Sequence, residues 1–152
     1  EFDLSELTEM VAEEAQGLAE SKAVTLTAEI EPGILVKADQ TLMMRIWLNL
    51  LTNAVKYGRQ QGQIWLTLKS DGKNAVGTVR DDGIGISAAE LPKIWKRFYR
   101  VNTARSSGDD SGTGLGLAMV KWMVESHGGT VSAVSTLGAG STFSFTIPLR
   151  PS

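Results

Sequence analysis

The sequence predicts a two-layer α/β sandwich in which a mixed sheet of about five strands is backed on one face by three main helices. Apolar residues recur at helical spacing in separate stretches, and stretches of period-two alternation are joined in pairs by tight turns containing glycine. Helices and strands also alternate without strict βαβ order, which favours a mixed sheet over a wholly parallel one.

The first element follows from Leu4, Leu7, Val11, Ala15 and Leu18, an amphipathic helix ending near Ser21. Residues 24–30 alternate as a half-buried strand, Pro32 and Gly33 turn the chain, and a short extended piece over 34–38 leads to Asp39. Asp39 can cap a helix in which Leu42, Ile46 and Leu50 recur every four residues and Gly58 is the stop. Residues 63–69 and 74–80 are strands joined at Asp71 and Gly72. Ser87 is placed to cap a short helix over 90–98. Residues 101–113 have almost no apolar anchor, and a loop of that length is usually functional or disordered. A helix then runs to Ser126, stopped by Gly128 and Gly129, before strands over 130–135 and 141–149.

The 152 residues make one domain, with an ordinary 42% of hydrophobic residues and a net charge of −2. The chain lacks cysteine and has one histidine, which excludes disulfides and argues against a zinc site. No apolar run reaches about 18 residues and no signal-peptide pattern opens the chain, so a soluble piece without membrane contact is expected. A start at Glu1 and Phe2, without methionine, reads as a fragment of a longer protein. Acids crowd the first twenty residues, while Lys93, Lys96, Arg97, Arg100 and Arg105 have no acid between them. That stretch is a local anion site or a solvated face; it is not the broad basic surface of a nucleic-acid binder.

Several residues ask for a polar partner. Asn49 and Asn53 stand one turn apart on the second helix, with Lys56 following; they either bond neighbouring backbone or meet a ligand such as a polyphosphate with its magnesium. Asp81 ends a strand and precedes Gly83 and Gly85, so it is either a plain Asp-Gly turn or a carboxylate reaching the edge of a flat ring. With an ordinary pKa near 3.9 it would be ionised and could accept from an exocyclic amine such as adenine's. Gly112, Gly114 and Gly116 either relieve close helix packing or form an anion cradle at a helix start. Trp47, Trp65 and Trp122 read as core or half-buried packing, and His127 as a side chain bonding the last carbonyls of its helix.

In order, Asn49-x3-Asn53 with Lys56 and Tyr57, Asp81-x-Gly83-x-Gly85, the run from Trp95 to Arg100, and Gly112-x-Gly114-x-Gly116 resemble the N, G1, F and G2 boxes of the ATP-binding catalytic domain of bacterial sensor histidine kinases. The resemblance covers about residues 1–150 and implies a Bergerat-type ATP-binding fold, with residues 101–113 as a lid over ATP. It implies that Asp81 takes the adenine amine, with Gly83, Gly85 and Ile86 beside it, and that Asn53 holds Mg2+. Asn49 and Lys56 would line the phosphates, Tyr57 would border the nucleotide, and Arg97 and Arg100 would neutralise the γ-phosphate. Gly112, Thr113, Gly114, Leu115, Gly116 and Leu117 would form the phosphate cradle. Trp95 stands where this family often has phenylalanine. Ser141 shares strand parity with Phe143, Phe145 and Ile147 and is preferred over Thr142 as a hydroxyl near adenine.

Gyrase-type, mismatch-repair and chaperone ATPases of similar fold carry a glutamate at the position of Asn49, and an amide cannot take a proton from water. The resemblance therefore implies transfer of the γ-phosphoryl group to a histidine outside this chain, on a dimerisation domain of the same full-length, homodimeric protein. A response regulator would follow downstream. This domain would be cytoplasmic, with no nucleic-acid partner, whether or not the full-length protein is membrane-anchored. A nucleotide-gated binding module without transfer, and an anti-sigma-factor serine kinase, are the alternatives.

Overall fold

A computed structural model describes residues 2–58, 61–95 and 116–149. Strand β1 (Phe2–Asp3) leads directly into helix α1 (Leu4–Ser21), followed by β2 (Thr25–Ile30), β3 (Leu35–Val36) and α2 (Gln40–Tyr57). Strands β4 (Gln63–Ser70) and β5 (Asn74–Asp81) come next, then α3 (Gly116–Glu125), β6 (Val131–Thr136) and β7 (Gly140–Pro148). The main sheet has five strands in the order β2-β4-β5-β7-β6. Only β2 and β4 pair in parallel; the other pairs are antiparallel. The expected α/β sandwich, three helices against a mixed sheet of five strands, is therefore what the chain forms.

Alternation makes the sheet two-faced, and register turns the inward residues into apolar rows. Leu66, Val79, Phe143 and Ala133 lie opposite one another across β4, β5, β7 and β6, and Leu68, Gly77, Phe145 and Val131 form the next row. Trp47 of α2, fully buried, meets Phe145 edge to face with ring centroids 4.9 Å apart. Gly77 makes room for both rings, since a Cβ there would fall 2.5 Å from Phe145 Cζ and 2.8 Å from Trp47 Cη2. An indole this deep in the core fixes how closely α2 approaches β5.

Both long helices start on aspartate. Asp3 Oδ1 accepts from the Glu6 N–H and Asp39 Oδ1 from the Leu42 N–H, each at 3.1 Å. On α1 the buried stripe runs through Leu4, Leu7, Val11, Ala15 and Ala19. Leu18, expected on that stripe, is instead exposed. The straight helical repeat drifts, and after Ala15 the next inward position is four residues on. The short pairing of β1 with β3 has no counterpart in the sequence reading, because Phe2 and Leu35 are too isolated to show alternation.

A second departure follows β5. In place of a Ser87-capped helix over 90–98 there is one 3₁₀ turn, Leu91–Lys93, preceded by Glu90 without a side-chain cap bond. Ser87 contributes its carbonyl oxygen, which accepts from Glu90 N–H at 3.1 Å and Leu91 N–H at 3.0 Å. Pro92 withholds a backbone donor at the turn's start, which suits a single tight turn. Residues 96–98 lie outside the described residues.

Candidate nucleotide site

The apolar rows give way to a polar one where β5 ends. Ile64, Asp81, Ser141 and Ser135 stand opposite one another across β4, β5, β7 and β6, so Asp81 and Ser141 share the helix-facing side of the sheet. Ser141 thus has the parity expected for it, and it is buried, as is Asp81 at 5% exposure.

Burial pushes the Asp81 carboxyl up from its ordinary 3.8 to about 6. The Gly83 and Ser141 backbone N–H groups pull it down, while the neighbouring Asp82 charge pushes it further up. The sequence expectation of an unperturbed, freely ionised carboxylate is corrected here: near neutral pH Asp81 is mostly ionised but poised to take a proton. A lone Asp-Gly turn would leave such a side chain in water, whereas this one is enclosed, with no cation beside it among the described residues.

The loop after Asp81 is clamped from two sides. Gly83 N–H donates to Asp81 Oδ1 at 2.8 Å, and Ile84 N–H donates to the Tyr57 carbonyl at the end of α2 at 3.3 Å. On the other side the Gly138 N–H donates to Ile84 O at 2.7 Å. A Cβ on Gly83 would collide with Tyr57 O, and one on Gly85, whose φ is +73°, with Thr136 O. These two glycines are required by close approach of backbone to backbone, which the sequence reading did not foresee. Ile86, also buried, donates its N–H to Ser135 Oγ at 2.7 Å.

Helix α2 carries the remaining candidates. Asn49, Asn53, Lys56 and Tyr57 are all half-buried. Asn49 Nδ2 lies 3.5 Å from the carbonyl oxygen of Gly116, the first residue of α3. Among the described residues the Asn53 amide has no hydrogen-bond partner, and Lys56 Nζ sits 5.4 Å from the centroid of the Tyr57 ring. Gly116 is exposed, and Leu117 packs against the core. Arg97, Arg100, Gly112, Thr113, Gly114 and Leu115, with the whole of 101–113, lie outside the described residues.

Among the flanking aromatics, Trp95 meets Phe143 edge to face at 6.1 Å, so the indole does pack against the sheet. Trp47 is core and Trp65 half-buried under Arg80, whose guanidinium carbon is 4.8 Å from its ring centroid. Trp122 departs from the expectation of burial, being 58% exposed. Helix α3 is apolar on almost every side, so periodicity could not choose its core face; packing chose Val120, Met123 and Val124. Ser135 was missed altogether, because only strand register brings it to the site.

Residues 38–151 match the family of histidine kinase-, DNA gyrase B- and HSP90-like ATPases, and the chain belongs to that family. Within it, the chain is a catalytic domain of the sensor histidine kinase type. It is 38% identical over 149 residues to the sensor histidine kinase TmoS of Ectopseudomonas mendocina, a match covering 97% of this chain and 15% of that protein. The structure of the mycobacterial sensor histidine kinase MprB superposes with a TM-score of 0.85 at 28% identity, covering 99% of both chains. Full-length ShkA, solved in complex with AMPPNP, gives a TM-score of 0.84 at 29% identity over 99% of this chain and 31% of ShkA. The chain thus spans less than a third of these two longer proteins. Among the described residues no helix is long and apolar enough to cross a membrane.

Proposed function

We propose that the chain binds Mg-ATP and passes the γ-phosphoryl group to a histidine on a separate dimerisation domain of the same full-length homodimeric protein, from which a response regulator receives it. The observation that carries this reading is the reach of α2. Its Tyr57 end holds the Asp81 loop, and Asn49 touches the start of α3. Eight residues of helix separate them, about 12 Å at 1.5 Å per residue, which suits a nucleotide laid from base to terminal phosphate.

In this reading Asp81 accepts from the adenine amine, with Gly83, Gly85, Ile86 and Ser141 around the base, and Tyr57 borders the nucleotide. Asn49 and Lys56 line the phosphates. Gly116 and Leu117 begin the helix whose N-terminus would meet them, the cradle continuing into residues 112–115. Arg97 and Arg100 neutralise charge on the γ-phosphate, and residues 101–113 act as the lid; both assignments rest on the sequence motifs.

For magnesium, the residues present fit. The described residues hold no group of three or more carboxylates or histidines able to cage a metal. Mg2+ commonly keeps its waters and binds through substrate phosphates plus one or two protein oxygens, which the unpartnered Asn53 amide oxygen can supply. Bound there, the ion neutralises charge building on the phosphates. The Asn49 amide cannot act as a general base toward water, which supports transfer to an imidazole over hydrolysis.

The test is incubation of the chain with γ-labelled Mg-ATP and a supplied histidine-bearing dimerisation domain. Acid-labile phosphate on the added histidine is expected, appearing slowly because tethering is lost. Tight ATP binding with no incorporation would overturn transfer and leave a nucleotide-binding module.

A further inference from the structure

Ser135 lies on the edge strand β6, two strands away from Asp81 with β7 between them, yet its hydroxyl joins three parts of the site. Its oxygen accepts from the Ile86 N–H at 2.7 Å, its proton goes to the Gly140 carbonyl at 3.0 Å, and Ser141 Oγ lies 2.8 Å away. A serine hydroxyl has one proton and two lone pairs. With the proton given to Gly140 and one lone pair to Ile86, the second lone pair is open to a hydrogen bond donated by Ser141.

We infer that Ser135 is a positioning residue for base recognition: by taking the Ser141 proton it leaves Ser141 able only to accept, so that Asp81 and Ser141 together present acceptors to the base. The inference rests on the reading of Asp81 as the acceptor of the base amine. Acceptors set against position 6 of the base favour a 6-aminopurine, which brings a donor there, over a 6-oxopurine, which sets a carbonyl oxygen against them. Ser135 also holds Ile86, and its bond to Gly140 fixes the residue just before Ser141. At Gly140, where φ is +117°, a Cβ would collide with Asp81 O, so this turn cannot drift from β5.

Without the Ser135 hydroxyl, the Ser141 proton is free to turn toward the pocket and donate to a 6-oxo group. The loss should therefore appear in discrimination between bases more than in overall affinity. Calorimetric titration with ATP and with inosine triphosphate, which carries oxygen where ATP carries the amine, measures this ratio. Ser135→Ala should shrink the preference for ATP by about tenfold, the scale of one buried hydrogen bond. Ser135→Thr, which keeps the hydroxyl, should restore it. In a Ser141→Ala background, Ser135→Ala should reduce the preference no further, because the effect passes through Ser141.

An unchanged ratio in Ser135→Ala, or losses that add in the double variant, would overturn the inference. Should Ser135→Ala not fold, Ser141→Ala alone decides: an unchanged ATP preference there removes the group through which Ser135 acts. Asp81→Asn in the same titration separates the two readings. If it binds ATP like the parent, the base assignment itself has failed. If it loses ATP while Ser135→Ala keeps full discrimination, only the role of Ser135 has.

Discussion

At the scale of single residues, Asp81 and Asn53 carry the sharpest consequences. Asp81 binds its proton more tightly in the folded chain than in the unfolded one, because burial raises it from 3.8 to about 6. Its contribution to stability is therefore most favourable below pH 4, declines as pH rises toward 6, and is constant above. Two units correspond to about 3 kcal/mol as an upper bound. Chemical denaturation from pH 4 to 7 should show this slope in the parent and lose it in Asp81→Asn; equal slopes would return Asp81 to an ordinary turn carboxylate. Nucleotide binding has the opposite dependence, since an amine donor needs the ionised carboxylate. ATP affinity should be flat above pH 7 and weaken as pH falls through 6, with proton release on binding in that range. For Asn53, replacement by alanine should abolish most of the affinity gained on adding magnesium. An undiminished magnesium response in that variant would place the ion elsewhere.

Between elements, the packing of α2 against α3 has its own fastener in His127. The ring bridges the two helices: Nε2 accepts from the Asp39 N–H at 3.1 Å, so Nδ1 carries the proton and donates to Met123 O at 2.7 Å. The bond to its own helix was legible from the Gly128 and Gly129 stop that follows it. The bond to Asp39, 88 residues away in sequence, was not. Both ring nitrogens are thus occupied at the end of the helices remote from Gly116. His127→Ala should cost about 1 kcal/mol of stability in chemical denaturation and leave the ATP dissociation constant unchanged. Loss of ATP binding at unchanged stability would instead place the imidazole at the nucleotide.

For the whole molecule, the expected behaviour is a chain that binds ATP and does not label itself. After incubation with γ-labelled ATP, acid-labile phosphate on His127 in the isolated chain would contradict the external acceptor. Local pattern was enough for the sequence to show the three main helices, the strands of the main sheet, the Asp39 cap and the Asp71 hairpin, and to single out Asn49, Asn53, Asp81, Gly83 and Gly85 as candidates. Caps, turns and periodicities act over a few residues, so they can be read without knowing what packs against them. The tertiary structure alone decided which side of the apolar α3 is core, that Trp122 is exposed, that Phe2 pairs with Val36, and that Asp81 is buried far enough to raise its carboxyl to about 6. It also decided the polar row that ends the sheet's buried face. Ser135 reaches Ile86 and Ser141 only because three antiparallel strands fall into one register, and register is set by the packing of the whole apolar face.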